Sequence, residues 1–324
     1  MAAASSFKPA ALAAALVLVS SSSGAAQYPD RPLRYIVPQA PGSASDTSAR
    51  IIAAELTRIL GQQIVVDNRP GGALTIGINM VVRAAPDGYT LGYGNIGGLA
   101  INRSMMKVPY DVLKDVQPIA QTNSNGMLLA VTPSLPVRSV RELIDYAKAH
   151  PGKLSNASSG NGTPGHFGGE LFKEMAGLNM VHVPYKGGAA AMTELIAGRV
   201  QVMFESMSSI IPHHRSGRVR GLAVSSPKRS PHYPDIPTVA ESGVPGFDMT
   251  VWSGLITPVG IPKPVLARLN DAINKAMASP ALREKYAANG VETVGGTPEE
   301  FGAFIKREVE KYEKIARKIG AKVE

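Results

Sequence analysis

The sequence predicts an α/β protein built as two alternating halves with a ligand cleft between them. Three observations predict it. Short β-type runs alternate with amphipathic helical runs at the spacing of βαβ units, which call for a mostly parallel sheet. The alternation breaks at a polar stretch, Gln121 to Gly126, and then restarts. Strand ends run repeatedly into short loops rich in Gly, Ser, Thr and Asn, the place where open α/β sheets bind ligands.

Taken in order, Leu33 to Val37 reads as a strand and Pro38 to Ser45 as a loop. A helix follows, capped by Ser45 or Asp46, with Ile51, Leu56, Ile59 and Leu60 inward and Gly61 as its stop. Gln63 to Val66 is a strand, Pro70-Gly71-Gly72 a turn, and a helix runs through Ile78, Val81 and Val82. After the turn Pro86-Asp87-Gly88, Tyr89 to Tyr93 is a third strand that enters the loop Gly94 to Asn102. The second half opens with the strand Met127 to Val131. Ser139 caps a helix through Val140, Leu143, Ile144 and Ala147. Leu154 to Ser158 is a strand feeding a Gly-rich turn, with Thr163 as N-cap, Pro164 as first helical residue, and Phe167, Leu171, Phe172 and Met175 on one apolar face. Val181 to Tyr185, Val200 to Phe204 and Val219 to Ser225 are strands, with a helix from Ala189 to Ala197 and another after Ser206. A Pro- and Ser-rich loop (226–246) leads to the strand Trp252 to Thr257, and two helices finish the chain. The last carries a capping box, Thr297 with Glu300, and an apolar face of Phe301, Phe304, Ile305, Tyr312, Ile315 and Ile319.

The chain of 324 residues is 44% hydrophobic and 18% charged, enough for two cores. Residues 1–26 differ. Lys8 is their one charge, followed by the apolar run Ala11 to Val19 and a small-residue segment. That is the pattern of a secretory leader cleaved after Ala26, with an apolar core too short to span a bilayer. There is no cysteine, so disulfides, thiolate metal sites and a lipid anchor on a cysteine are all excluded. The net charge of +9 is spread thinly, without interleaved aromatics, so nucleic acid is not an expected partner.

The turn after Ser158 spells G-x-G-x-x-G (Gly160, Gly162, Gly165). A dinucleotide site also needs an acid at the end of the next strand, and that strand ends in Lys186-Gly187-Gly188, so no NAD or FAD and no other cofactor is expected. Either the turn holds no ligand, or its free N–H groups and helix dipole take a small carboxylate or similar anion; the sequence favours the second. There is no G-x-S-x-G and no H-E-x-x-H, and of the six histidines only His213-His214 are adjacent, a pairing without metal spacing. His166 and Asp46 are the candidates for an enzyme of small-acid metabolism, though a cap or loop contact accounts for each. Trp252 reads as core.

At these loops the chain resembles the substrate-binding receptors of tripartite tricarboxylate transporters, the Bug-type proteins. The resemblance rests on YPDRPLRYIVPQAPGSASDTSAR, VDNRPGG, PDGYTL, SSGNGTPGHFGGELF, VPYKG, AGRV, SGRVRGLAVSSPKR, PDIPTVAESGVPGF and WSGLITPVGIP, in order along nearly the whole mature chain. It implies a periplasmic binding protein of type II fold, not an enzyme. It implies a discontinuous first domain (27–125 and 246–324), an inserted second domain (126–245), and crossing strands between them. A monomer is expected, handing a small carboxylate (dicarboxylate, amino acid or aromatic acid) to membrane transporter subunits. A sensor presenting its ligand to a membrane kinase is the alternative within the same class. Carried onto this chain, the carboxylate lies between Ser43, Ala44 and Asp46 on one side and Ser158, Asn161, Gly162 and Thr163 on the other. Asn95 and Lys186 flank the cleft and Glu205 faces it from a strand end. Gln39 stands where an aromatic is common, Ser43 where glycine is, and Gln201 where an acid is. Glu205 adds a carboxylate where neutral or shorter groups are frequent. Gln39 and Glu205 argue against a simple acidic amino acid and for a ligand with an extra donor or less charge.

Overall fold

The computed structural model describes Met1 and residues 28–288 and 290–320. The expected leader therefore lies outside the described residues. Ten strands form one curled sheet in the order β2-β1-β3-β9-β4-β7-β5-β6, with β8 and β10 also paired to β4. In the first half, β1 (Leu33–Val37) runs parallel to both β2 (Ile64–Asn68) and β3 (Thr90–Asn95). In the second half, β5 (Ser155–Ser158) runs parallel to β6 (Val181–Pro184) and β7 (Val202–Ser206). The fold is the two-part α/β arrangement that the alternation predicts.

The halves are joined by one strand where a gap was expected. β4 (Val116–Val131) runs through the polar stretch Gln121–Gly126 without interruption. Its first part pairs antiparallel with β9 (Thr250–Pro258) and with β10 (Glu292–Gly295); its last part pairs with β7 and with β8 (Arg220–Val224). The polar side chains survive burial because β9 satisfies them. Thr122 Oγ1 donates to the Ser253 carbonyl at 3.1 Å, and Asn123 Nδ2 donates to Ser253 Oγ at 2.6 Å. Hydropathy alone reads such a stretch as a loop.

Helices cover both faces. α1 (Ala44–Leu60) and α2 (Thr75–Val82) belong to the first half. Ser43, not Ser45 or Asp46, caps α1: its Oγ accepts from the Asp46 N–H at 3.2 Å. The expected loop after β3 is instead a buried π-helical turn, Gly97–Ile101, continued by α3 (Asn102–Met105) and followed by α4 (Val112–Asp115). The second half carries α5 (Val140–Ala149), α6 (Pro164–Ala176), α7 (Gly188–Ile196) and α8 (Met207–Arg215). Three helices close the chain rather than two: α9 (Lys263–Ala278), α10 (Pro280–Ala288) and α11 (Pro298–Ile319), the last with the predicted capping box. Along α11, Phe301, Ile305 and Tyr312 are buried as the periodicity requires. α11 reaches both halves: Trp252 packs edge-on against Phe301 and Phe304, while Tyr312 meets Phe167 of α6 at 5.9 Å.

Candidate functional site

Two loops face each other across the junction of the halves. The first follows β1. Gly42 takes a left-handed turn (φ 78°), Ser43 caps α1, and Ala44 and Ser45 form the helix's first turn. Asp46 points away from the cleft. Its carboxylate accepts from the Gly42 N–H at 2.9 Å, from Asn68 Nδ2 at 3.0 Å and from Arg50, which also pairs with it at 3.0 Å. Burial alone would raise its carboxyl, but the bonds from Arg50, Gly42 and Asn68 hold it below the usual range. Asp46 thus orders its own loop.

The second loop follows β5. Gly160 (φ 131°) and Gly162 (φ 77°) make a turn that no side-chain-bearing residue adopts readily. Thr163 caps α6, accepting from the His166 N–H at 3.4 Å and donating to the Gly160 carbonyl at 2.7 Å. Gly165 lies so close to β7 that a Cβ there would stand 2.6 Å from the Phe204 carbonyl oxygen. Its N–H has no intrahelical acceptor and faces the cleft end of the helix. Ser158 is fully buried behind the loop, its Oγ 2.7 Å from His182 Nε2. His166 Nδ1 accepts from the Gly162 N–H at 3.3 Å and stacks on His182, ring centroids 4.1 Å apart. Burial lowers both imidazoles, His182 to about 4, with His166 beside it adding to the effect. His166, His182 and Glu170 bring ligand atoms within 4.8 Å of one another, a grouping that sequence spacing missed because His182 comes from the neighbouring strand. Glu170 is already bonded to Lys173 at 2.8 Å.

Between the loops lies an inner cavity of about 260 Å³. Of the residues expected at the site, Gln39, Ala44, Asn95, Asn161, Gly162, Thr163 and Glu205 line it. Ser43 and Lys186 line a wider outer vestibule that opens from it, which shares Gln39, Ala44, Thr163 and Glu205. Asp46 and Ser158 line neither and act by holding their loops. The first turns of α1 and α6 and the Ser206 cap of α8 converge on the inner cavity, so three helix N-termini direct positive dipole ends at it. Among the described residues no Lys, Arg or His lines it, and the ionisable groups there are Glu205 and Tyr93. The far wall is apolar, with Leu74, Ile96, Met127, Phe204, Val251 and Trp252. Trp252 is core as well as wall, its Nε1 donating to Glu308 Oε2 at 2.7 Å.

Sequence reasoning missed Ser45, Asn102, Asn123 and Ser206 in the lining. Asn123 was hidden in the polar stretch of β4. Leu74 was hidden too: it reaches the cavity through a strained turn in which Ala73 and Leu74 have φ of 49° and 76°. His166 and Asp46 both stand outside the cavity, so neither is placed to do chemistry on a bound acid.

Residues 48–321 match the family described as tripartite tricarboxylate transporter family receptor. The chain belongs to that family. This receptor is 37% identical to protein BugT of Bordetella pertussis over 298 residues, 91% of each chain. Its fold superposes on Rpa4515 of R. palustris, solved with adipate, with a TM-score of 0.85 at 35% identity, covering 91% of this chain and 100% of that one. It also matches MatC of Rhodopseudomonas palustris, solved with malate, with a TM-score of 0.80 at 30% identity, covering 89% and 99%. The receptor is a solute-binding protein of a periplasmic family and not an enzyme.

Proposed function

We propose that this receptor captures a small carboxylate between its halves in the periplasm and delivers it to a membrane transporter. The observation that carries the reading is the convergence of three helix N-termini on a cavity that no cationic side chain lines among the described residues. Backbone dipoles and hydroxyls hold one carboxylate there without burying a fixed counter-charge. The adipate and malate of its two structural neighbours fit the same ligand class. Ala44 and Ser45 on one side and Asn161, Gly162 and Thr163 on the other grip the carboxylate; Gln39, Asn95 and Glu205 read the rest of the molecule. Ser43 and Lys186 guide it through the vestibule, and Asp46 and Ser158 keep the two loops in shape.

The leader of residues 1–26 routes the chain across the membrane. The units 27–125 with 246–324, and 126–245, close on the ligand by bending where β4 and β9 leave one half for the other, near Gly126 and Thr250. The receptor works as a monomer. A thermal-shift screen of residues 27–324 against small acids and their carboxamides tests the reading. An acid at a hundred times its Kd adds about 2.7 kcal/mol, a rise of roughly 5–10 °C, and its amide adds none. Equal shifts with acid and amide, or none with any acid, contradict it.

A further inference from the structure

The inner cavity is built for more than one carboxylate, and the second feature is Glu205. Its side chain stands in the cleft wall at the end of β7. Oε1 accepts from the Ser206 N–H at 2.8 Å and from Ser206 Oγ at 3.0 Å. Burial pushes the carboxyl above the usual carboxylate range, and the two Ser206 bonds pull the other way, toward the ionised form. Oε2 accepts no hydrogen bond among the described residues. It sits against the first turn of α7, where a Cβ on Gly188 would come within 2.8 Å of it, so the glycine leaves room for the carboxylate. The carboxyl lies between the N-termini of α7 and α8, whose dipoles favour its ionised form. Gln39, on the opposite half, also lines this space. Glu205 Oε2 is thus an acceptor with unmet capacity at a cavity whose lining, among the described residues, holds no cationic side chain.

Resting on the carboxylate reading above, we infer that the ligand is a zwitterion: a monocarboxylate whose ammonium group donates to Glu205 Oε2. A free dicarboxylate sets its second negative charge beside the Glu205 carboxyl, and among the described residues no side-chain cation lines the inner cavity to meet it. Lys186 and Arg218 lie in the outer vestibule, and neither lines the inner cavity. An ammonium neutralises Glu205, supplies three donors, and leaves its carboxylate for the helix N-termini. A hydroxyl supplies a donor but no positive charge to hold Glu205 ionised against its burial. A zwitterion differs in charge from the adipate and malate found in the two solved neighbours.

Isothermal titration at neutral pH with three matched probes of each chain length tests this: butyrate, succinate and γ-aminobutyrate, then caproate, adipate and ε-aminocaproate, with α-amino acids of the same lengths. The wild type should bind an amino acid about tenfold to a hundredfold more tightly than the dicarboxylate of equal length, the range of one charge-assisted hydrogen bond. Glu205→Gln, which keeps the Ser206 bonds, should erase that preference. Gly188→Ala, which pushes Oε2 aside without removing its charge, should weaken it. A dicarboxylate that binds the wild type as well as the amino acids do, or a ranking unchanged in Glu205→Gln, overturns the inference while leaving the carboxylate reading intact. If no acid of any kind binds, the carboxylate reading fails and takes this inference with it.

Discussion

Gly165→Ala tests how the cleft depends on close packing of α6. Gly165 is the second residue of the helix, and its missing Cβ is what lets the helix start rest on β7. A methyl there would meet the Phe204 carbonyl oxygen at 2.6 Å, well inside any normal contact. Neither partner is a side chain that can rotate away, so the first turn of α6 must lift by about half an ångström. Overpacking of this kind destabilises by about 1–3 kcal/mol. It also moves the Gly165 amide and Asn161, which line the cavity, off the ligand. Hydrogen bonds to a charged group contribute about 1.5–3 kcal/mol each, so weakening two by half should loosen binding about tenfold to a hundredfold. Gly177→Ala at the other end of the same helix is the control. Gly177 has φ 64° and open space around its Cβ position, so alanine there should cost about 1 kcal/mol through backbone strain alone. Urea unfolding and ligand titration of both variants separate the effects. Both should lose stability; Gly165→Ala alone should lose affinity. A folded Gly165→Ala protein that binds as tightly as the wild type would refute the reasoning.

Two further outcomes concern the same half. Asn156 is fully buried on β5 with both side-chain polar atoms unpartnered, beneath Gly169, so Asn156→Leu should raise stability by about 1–3 kcal/mol in thermal unfolding; a fall would mean the amide is satisfied after all. His182 titrates near 4 in the fold against about 6.5 in an unfolded chain, its shift set first by burial and then by His166 and Lys173. Between those values the unfolded chain binds more protons, so stability falls as pH drops through about 6.5 to 4 and is fully present above it. With partial exposure of the ring allowed for, the loss is about 1–2 kcal/mol, and His182→Gln should flatten Tm between pH 7 and 4.5. An equally steep profile in the variant would place the titration elsewhere.

Much of this was legible in the sequence where local chemistry decides local structure. The Thr163-Pro164 start of α6, the Thr297 and Glu300 box of α11 and the Gly-rich turn are set by residues within a few positions of each other. So were the loops that line the cleft, because strand ends in an α/β sheet fix where ligands go. What escaped depended on partners distant in the chain. Thr122 and Asn123 read as a gap because Ser253, which satisfies them, lies far along the chain. The stacked pair of His166 and His182 joins a helix to a neighbouring strand. Asp46 kept the right loop but the wrong direction: Arg50 one turn on and Asn68 on β2 draw its carboxylate away from the cavity. The π-helical turn at Gly97–Ile101 was unreadable because a short run buried on every side carries no periodicity.

The central claim is that a small carboxylate binds in the inner cavity, and the chain supplies its own reporter there. Trp252 is the only tryptophan in the sequence and forms part of the cavity wall. Titrating residues 27–324 with an acid that stabilises the fold should change its emission along a saturable one-to-one curve, with no change for the carboxamide. An acid that stabilises the fold without altering Trp252 emission, or an amide that alters it equally, would contradict the account.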